Sequence, residues 1–178
     1  SSSLDATSNA VQAPATQHGA IQAAAVVSAD GTSIGLGGSV SALAQVLPSL
    51  AAQGTAGVRF VDVPAAQATL ASVMVGGGAT WLALSTSGSR PFEIDASCDV
   101  FATDLLAYRA GQSRSRWMPG ASLALETVWF AWSRNVGAVL LTGVEGAFGT
   151  TAVAVGDHTV ATILPFRAVV ALGVRARF

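Results

Sequence analysis

Apolar and polar residues alternate with a period of two residues over much of this chain. In FEIDASCDVFATD, residues 92–104, most apolar side chains occupy every second position, and acids and hydroxyls occupy the positions between. Successive side chains of a β-strand point to opposite faces of its sheet, so each such segment is predicted to be a strand with one apolar and one polar face. The fold class predicted from this pattern is all-β.

Clusters of Gly, Pro and Ser divide the chain into eight candidate strands of this kind. Several have about 9–11 residues or slightly more, the length with which a tilted strand crosses a bilayer. Helical periodicity is weak except in VSALAQVLPSLAAQ, residues 40–53, where a short helix inside a loop is predicted. The candidates are Ala20–Asp30, Gly54–Val63, Gln67–Gly76, Gly78–Ser87, Phe92–Asp104, Pro119–Trp132, Val136–Phe148 and Phe166–Phe178.

The composition is too apolar for an ordinary soluble domain. Hydrophobic residues make up 51% of the 178 residues and charged residues 11%, against about 25% charged residues in typical soluble domains. No uninterrupted apolar run of about 18 residues predicts a transmembrane helix, so the hydrophobicity is spread over the short alternating segments. The net charge is −1 and no basic run is present, which argues against a nucleic-acid partner.

Two architectures fit strands with one apolar and one charged face. A soluble sandwich buries the apolar faces, whereas a transmembrane barrel turns them towards lipid and fills its lumen with the polar faces. The polar faces carry charges of both signs among many small residues, which suits a narrow lumen. The predicted lumenal charge network comprises Arg59, Asp95, Asp99, Glu126, Glu145, Arg167, Arg175 and Arg177. The predicted lipid-facing residues are Ile94, Val100, Leu125, Leu140 and Val144.

The connections between the candidate strands also favour a barrel. Long connections are predicted after the first, fifth and seventh candidates and short ones after the second, fourth and sixth, an alternation typical of transmembrane barrels. The exception is the short Gly76–Gly78 link between the third and fourth candidates. After the seventh candidate, a protruding hairpin is predicted to turn at Gly156–Asp157. Residues 1–19 are predicted to be a flexible tail and residues 20–178 an eight-stranded antiparallel up-and-down transmembrane β-barrel.

The last segment, FRAVVALGVRARF, resembles the C-terminal strand of outer-membrane β-barrel proteins of Gram-negative bacteria. In that family this strand is the signal read by the assembly machinery, and it closes the barrel against the first strand. The family prefers an aromatic residue at the third position from the end, where this chain has an alanine. The resemblance implies that the assembly signal comprises Val170, Leu172, Val174, Ala176 and Phe178.

The predicted strand number is similar to that of the small OmpA-domain and OmpX-like group, and the composition resembles barrels of high-GC bacteria, myxobacteria especially. The resemblance implies a location in the outer membrane of the cell envelope, with the lipid bilayer, the assembly machinery and other envelope proteins as partners. Eight strands enclose a lumen that side chains fill. A structural anchor or a loop-presenting barrel is therefore expected, and a large pore is not.

Three points have alternative interpretations. A lipid-modifying outer-membrane enzyme needs a nucleophile, a base and an orienting acid within reach, but the two histidines, His18 and His158, both lie outside the predicted strands. The prediction is therefore no enzyme, with no catalytic, cofactor-binding or metal-binding residues and no cofactor. The runner-up fold and function is a soluble jelly-roll shell protein of the viral capsid type, which would explain the short strands. The tryptophans are either core aromatics or membrane-interface residues: Trp81, Trp117, Trp129 and Trp132.

Overall fold

The structure is a computed structural model that describes residues 19–31, 33–63, 68–86, 88, 90–109, 112–149, 151–155 and 158–178. In this part of the chain no helix is long and apolar enough to cross a membrane. The described strands are β1 (Gly19–Ala29), β2 (Ile34–Leu47), β3 (Leu50–Val63), β4 (Ala68–Ser85), β5 (Phe92–Arg109), β6 (Gln112–Trp129), β7 (Val136–Ala147), β8 (Thr151–Val155), β9 (His158–Ile163) and β10 (Phe166–Arg177).

Eight of these strands form a closed barrel in the order β1-β10-β7-β6-β5-β4-β3-β2, with every neighbouring pair antiparallel. The remaining two, β8 and β9, pair only with each other. The barrel closes between β1 and β10, where Gly19 and Phe178 exchange backbone hydrogen bonds of 3.2 and 3.1 Å. The predicted eight-stranded antiparallel barrel is confirmed, and the jelly-roll alternative is wrong.

Two of the predicted elements are wrong, although the strand number is right. Residues 40–53 form the end of β2 and the start of β3, joined at Pro48–Ser49, instead of a helix. Alanine and leucine favour helices, but pairing with β1 and β4 overrides that local preference. Gly76–Gly78 is the middle of the single strand β4 instead of a turn. The prediction therefore missed β2 and counted β4 as two strands, and these two errors left the predicted number of barrel strands at eight.

Two of the predicted long connections, after the first and fifth candidates, are wrong, whereas the short ones after the second, fourth and sixth and the long one after the seventh are present. The termini end of the barrel, where Gly19 and Phe178 lie, has connections at residues 48–49, 86–91 and 130–135. At the opposite end, called the mouth end, β1–β2, β3–β4 and β5–β6 are joined by only two to four residues. The sequence assigned to a long loop after the fifth candidate instead extends β5 and β6 to 18 residues each. The alternation pattern of the sequence did not distinguish a longer strand from a strand followed by a loop.

The predicted hairpin between the last two barrel strands is present as β8 and β9, and its turn at residues 156–157 lies outside the described residues. The predicted tail falls almost wholly on residues 1–18, which also lie outside them, while Gly19 belongs to β1.

Pro119 explains why the β5–β6 hairpin projects from the mouth end. The ladder between β6 and β7 ends with Phe148, whose backbone N–H donates to the Pro119 carbonyl over 2.7 Å. Proline has no backbone N–H to return, so the ladder cannot continue by an ordinary pair. Residues 112–118 of β6 pair only with β5, and this pairing runs to Arg109 and Gln112.

Candidate functional site

The outer surface of the barrel is apolar. Between the two ends, the outward positions of the described strands carry aliphatic, small or hydroxyl side chains, and their only charged residues, Asp62 and Asp104, lie towards the mouth end. Such a continuous apolar exterior is what lipid, and not water, solvates. Four of the predicted lipid-facing residues are exposed on this surface, and Ile94 is half-buried there: Ile94, Val100, Leu125, Leu140 and Val144.

Aromatic side chains border this apolar surface at both ends. Trp117 and Trp129 lie twelve positions apart on β6, which is about 40 Å along the strand and about 30 Å along the axis of a barrel with the usual tilt. The lipid-facing band of outer-membrane barrels is about 25 Å tall, so the two tryptophans flank a band of bilayer thickness. The exposed aromatics near the termini end are Trp81, Trp129, Trp132 and Phe178; those near the mouth end are Phe60, Trp117, Phe148 and Phe166.

The lumen near the termini end contains a group of buried ion pairs, called the terminal cluster. Arg175 of β10 donates to both Asp95 and Glu126, and its Nε donates to Gln22 Oε1 over 2.9 Å. Asp95 and Glu126 are opposite one another on β5 and β6, so without the guanidinium two like charges would face each other. Gly137 lies beside Arg175 on β7 and has no side chain in its path to these acids.

Arg177 extends the terminal cluster towards the end of the barrel. It forms an ion pair with Glu93, and its guanidinium carbon lies 4.1 Å from the centroid of the Phe130 ring, a cation–π distance. Phe130 is almost completely buried. The lumen at this level is therefore occupied by charged and aromatic side chains together.

A second group of ion pairs, called the mouth cluster, lies nearer the mouth end. Arg59 of β3 donates through both terminal nitrogens to Glu145 of β7, and Arg167 Nε donates to Glu145 over 2.8 Å. Because β3 and β7 are on opposite sides of the eight-stranded ring, this pair spans the lumen. Gly37 lies beside Arg59, and a Cβ there would clash first with the Val58 carbonyl and would lie 2.9 Å from Arg59 Cγ, so a side chain at this position would shift both the strand backbone and the arginine.

The eight predicted lumenal residues all lie on the inner face, but only some of the predicted meetings occur. Arg175 contacts Asp95 as predicted, whereas the predicted meeting of Arg59, Asp99 and Glu126 is wrong. Asp99 accepts a hydrogen bond from Gln53 Nε2 at 3.2 Å, and Gln53 lies six residues from Arg59 along β3. Each strand is staggered against its neighbour, so the middles of distant strands lie at different heights in a barrel.

Solved structures with the same architecture are bacterial outer-membrane proteins. Neisserial surface protein A gives a TM-score of 0.59 at 12% identity, over 90% of this chain and 96% of that one. The N-terminal β-barrel domain of Pseudomonas aeruginosa OprF gives 0.54 at 11%, over 89% and 97%. A major outer membrane protein from Thermus thermophilus gives 0.50 at 15%, over 90% and 99%. The fold is that of the bacterial outer-membrane β-barrels.

At these identities the likenesses show the fold. No family model and no curated protein matches this chain.

Several lumenal residues were missed by sequence reasoning. Gln22 and Thr80 are buried on the polar faces of β1 and β4, and both are absent from the predicted lumenal network because that network was restricted to charged residues. Thr80 donates to Gln53 Oε1, which ties the middle of the lumen together. Apolar residues also enter the lumen, in two buried clusters that no pattern of charges reveals: Val26, Val169 and Ala171, and Val128, Phe130 and Val139.

The described residues include no group of three His, Cys, Asp or Glu side chains placed to hold a metal ion. Cys98 is exposed at an outward position of β5.

Proposed function

We propose that this chain is an integral protein of the bacterial outer membrane, whose barrel is closed to ions and anchors the projecting hairpins of the mouth end at the cell surface. The observation that carries this proposal is the combination of an apolar exterior with a lumen crossed by buried ion pairs. Eight strands enclose a lumen only wide enough for side chains. Pairing satisfies the charges of the terminal and mouth clusters, so these groups require no water-filled channel around them.

The projecting hairpins support a role in presentation. The β5–β6 hairpin and the β8–β9 hairpin both leave the barrel at the mouth end, opposite the chain termini. Outer-membrane barrels have their short turns on the periplasmic side and their longer connections outside the cell. The longest connection of the barrel, from β7 to β10, is at the mouth end, so by this rule the mouth end of the proposed anchor faces outwards and is available to soluble molecules or other envelope proteins.

The proposed role is non-catalytic. Carboxylates that act as acids or bases need a free oxygen within reach of a substrate. In both clusters the acids are instead bound by arginines: Glu145 by Arg59 and Arg167, and Asp95 and Glu126 by Arg175.

The closed lumen predicts a silent protein in planar-bilayer recordings. The purified wild type should produce no large, steady conductance steps, because the terminal and mouth clusters both cross the lumen. Arg59→Ala should remain folded but unfold at a lower urea concentration, since it leaves buried Glu145 with Arg167 alone. Arg134→Ala, in an exposed turn, is the matched control and should behave as wild type. Steady conductance from the wild type would refute the closed-lumen proposal.

The proposal includes recognition by the outer-membrane assembly machinery, with Val170, Leu172, Val174, Ala176 and Phe178 as the signal. Phe178→Ala should lower the amount of folded barrel in the outer membrane of cells, while refolding of the purified protein into detergent stays nearly unchanged. The Phe178 ring is outward and exposed, so its removal costs little packing within the barrel. Both quantities can be measured by heat-modifiable gel migration.

The control is Phe166→Ala, which removes an equally exposed aromatic from the other end of the same strand. Equal membrane yields for wild type and Phe178→Ala would contradict the assembly-signal assignment. A matching loss in detergent refolding would show that the effect is on stability.

A further inference from the structure

Two neighbouring turns at the termini end each carry an exposed arginine. The turns are residues 86–91, between β4 and β5, and residues 130–135, between β6 and β7, and their arginines are Arg90 and Arg134. Neither turn contains an acid. We infer that the two arginines bind the phosphate headgroup of an anionic phospholipid at this end of the barrel. The inference rests on the proposed function only for the position of the barrel in a bilayer.

Backbone hydrogen bonds bring the two turns together. The backbone nitrogen of Phe130 donates to the Pro91 carbonyl over 3.0 Å, so Arg90, which precedes Pro91, lies beside the start of the second turn. In that turn the segment Ser133–Val136 is closed by hydrogen bonds of 3.3 and 2.9 Å between its first and last residues. Arg134 belongs to this segment, so its backbone is held at the tip of a tight turn. The two arginines are therefore presented side by side at one end of the barrel.

Both guanidinium groups are available to a ligand. Arg90 and Arg134 are exposed, and no acid among the described residues forms an ion pair with either of them. A guanidinium without a carboxylate partner binds phosphate oxygens with paired, charge-assisted hydrogen bonds. The arginines of the two lumenal clusters differ, because buried carboxylates already bind them: Arg59, Arg167, Arg175 and Arg177.

Exposed tryptophans place the two arginines at the level of the lipid headgroups. Trp129 at the end of β6 and Trp132 in the second turn are both exposed near the termini end. Tryptophan rings favour the interface between the hydrocarbon of a bilayer and water. Arg134 follows Trp132 by two residues, and Arg90 lies in the adjacent turn, so both side chains can reach the phosphates of the nearest lipids. The acyl chains of the same lipids then cover the apolar surface of the barrel.

The outer surface carries charges of opposite sign towards its two ends. Towards the mouth end, the outward positions of the described strands carry the acids Asp62 and Asp104, and Asp104 lies directly opposite Trp117. These carboxylates repel an anionic headgroup, whereas the arginines at the termini end attract it. The attraction is therefore directed to one leaflet of the bilayer, and Trp117 and Trp132 lie next to different leaflets.

The test is quenching of tryptophan fluorescence by lipids with brominated acyl chains. The full chain is refolded into vesicles of phosphatidylglycerol and phosphatidylcholine, with bromine on one lipid or on the other. The ratio of the two quenching strengths gives the preference for the anionic headgroup. Trp117→Phe leaves only the tryptophans of the termini end and should prefer phosphatidylglycerol. The variant Trp81→Phe with Trp129→Phe and Trp132→Phe leaves only Trp117 and should show no such preference.

Substitutions of the two arginines are made in the Trp117→Phe background. Arg90→Gln and Arg134→Gln should each lower the preference about fivefold, the attraction expected for one basic side chain near an anionic surface. Added salt should also lower it, since exposed charges are screened. The matched control, Arg90→Lys with Arg134→Lys, keeps both positive charges and should retain most of the preference. All these residues are exposed in turns, so the variants should fold, and in phosphatidylcholine alone their free energies of unfolding should stay close to that of wild type.

Three results would overturn the inference and leave the proposed function intact. One is equal quenching of Trp117→Phe by the two lipids. Another is an undiminished preference when Arg90→Gln and Arg134→Gln are combined. The third is the same preference at Trp117 as at the termini end, which would indicate attraction to the whole barrel instead of to the two turns. Quenching by neither lipid would refute the position of the barrel in a bilayer, and with it both the proposed function and the inference.

Discussion

Replacing Arg175 with alanine is expected to destabilise the barrel by about 3–5 kcal/mol. Arg175 is 2% exposed and is the shared partner of Asp95 and Glu126. Its removal leaves two carboxylates opposite each other in a lumen with little water, and neither has another arginine bound to it in the described structure. Most of this loss of stability comes from leaving two buried carboxylates without a positive partner. Removing one partner of a buried ion pair destabilises a protein far more than replacing the whole pair with apolar groups.

The measurement is reversible urea unfolding in phospholipid vesicles, followed by tryptophan fluorescence. Arg90→Ala serves as the matched control, because it removes an arginine from an exposed turn and should change the free energy of unfolding by about 0.5 kcal/mol or less. A neutralised variant, Arg175→Met with Asp95→Asn and Glu126→Gln, should recover most of the lost stability. If Arg175→Ala is no less stable than Arg90→Ala, the terminal cluster does not hold the barrel together.

Leu123→Arg is expected to destabilise the membrane-inserted barrel by about 2–4 kcal/mol. Leu123 is exposed on the outer surface of β6 and lies six residues from both Trp117 and Trp129, so it is at the middle of the apolar band. A charge there enters the most apolar part of the bilayer. Leu125, two residues further along the strand, should show a smaller cost.

The control on the same strand is Thr127→Arg, an outward position only two residues from Trp129. Near the interface an arginine reaches the headgroups, and the expected cost falls to about 0–1 kcal/mol. Free energies of unfolding in vesicles give both values. Equal costs at positions 123 and 127 would show that the cost of an outward arginine does not depend on its depth in the membrane. A gain in stability at position 123 would show that this surface faces water.

The alternation along each strand was sufficient to predict which residues lie on which face. In β5, the residues from Glu93 to Thr103 have one face of acids and hydroxyls, interrupted by the buried Phe101, and one of apolar residues, and the structure keeps that division. A one-residue shift would exchange the faces, so the pattern leaves little freedom. The boundaries were less determined, because the alanines and leucines of residues 40–53 suit a helix locally and the glycines at 76–78 suit a turn locally.

The sequence by itself thus determined that the chain forms strands, that their apolar faces share one side of a sheet, and that their charges share the other. Only the tertiary structure decided which charges meet. Arg59 reaches Glu145 across the lumen, and Arg175 reaches past Gly137 to acids two and three strands away. These contacts join residues far apart in the chain. They depend on closure of the sheet and on the stagger between strands. The alternation of apolar and polar residues describes each strand alone and therefore does not predict contacts between side chains of different strands.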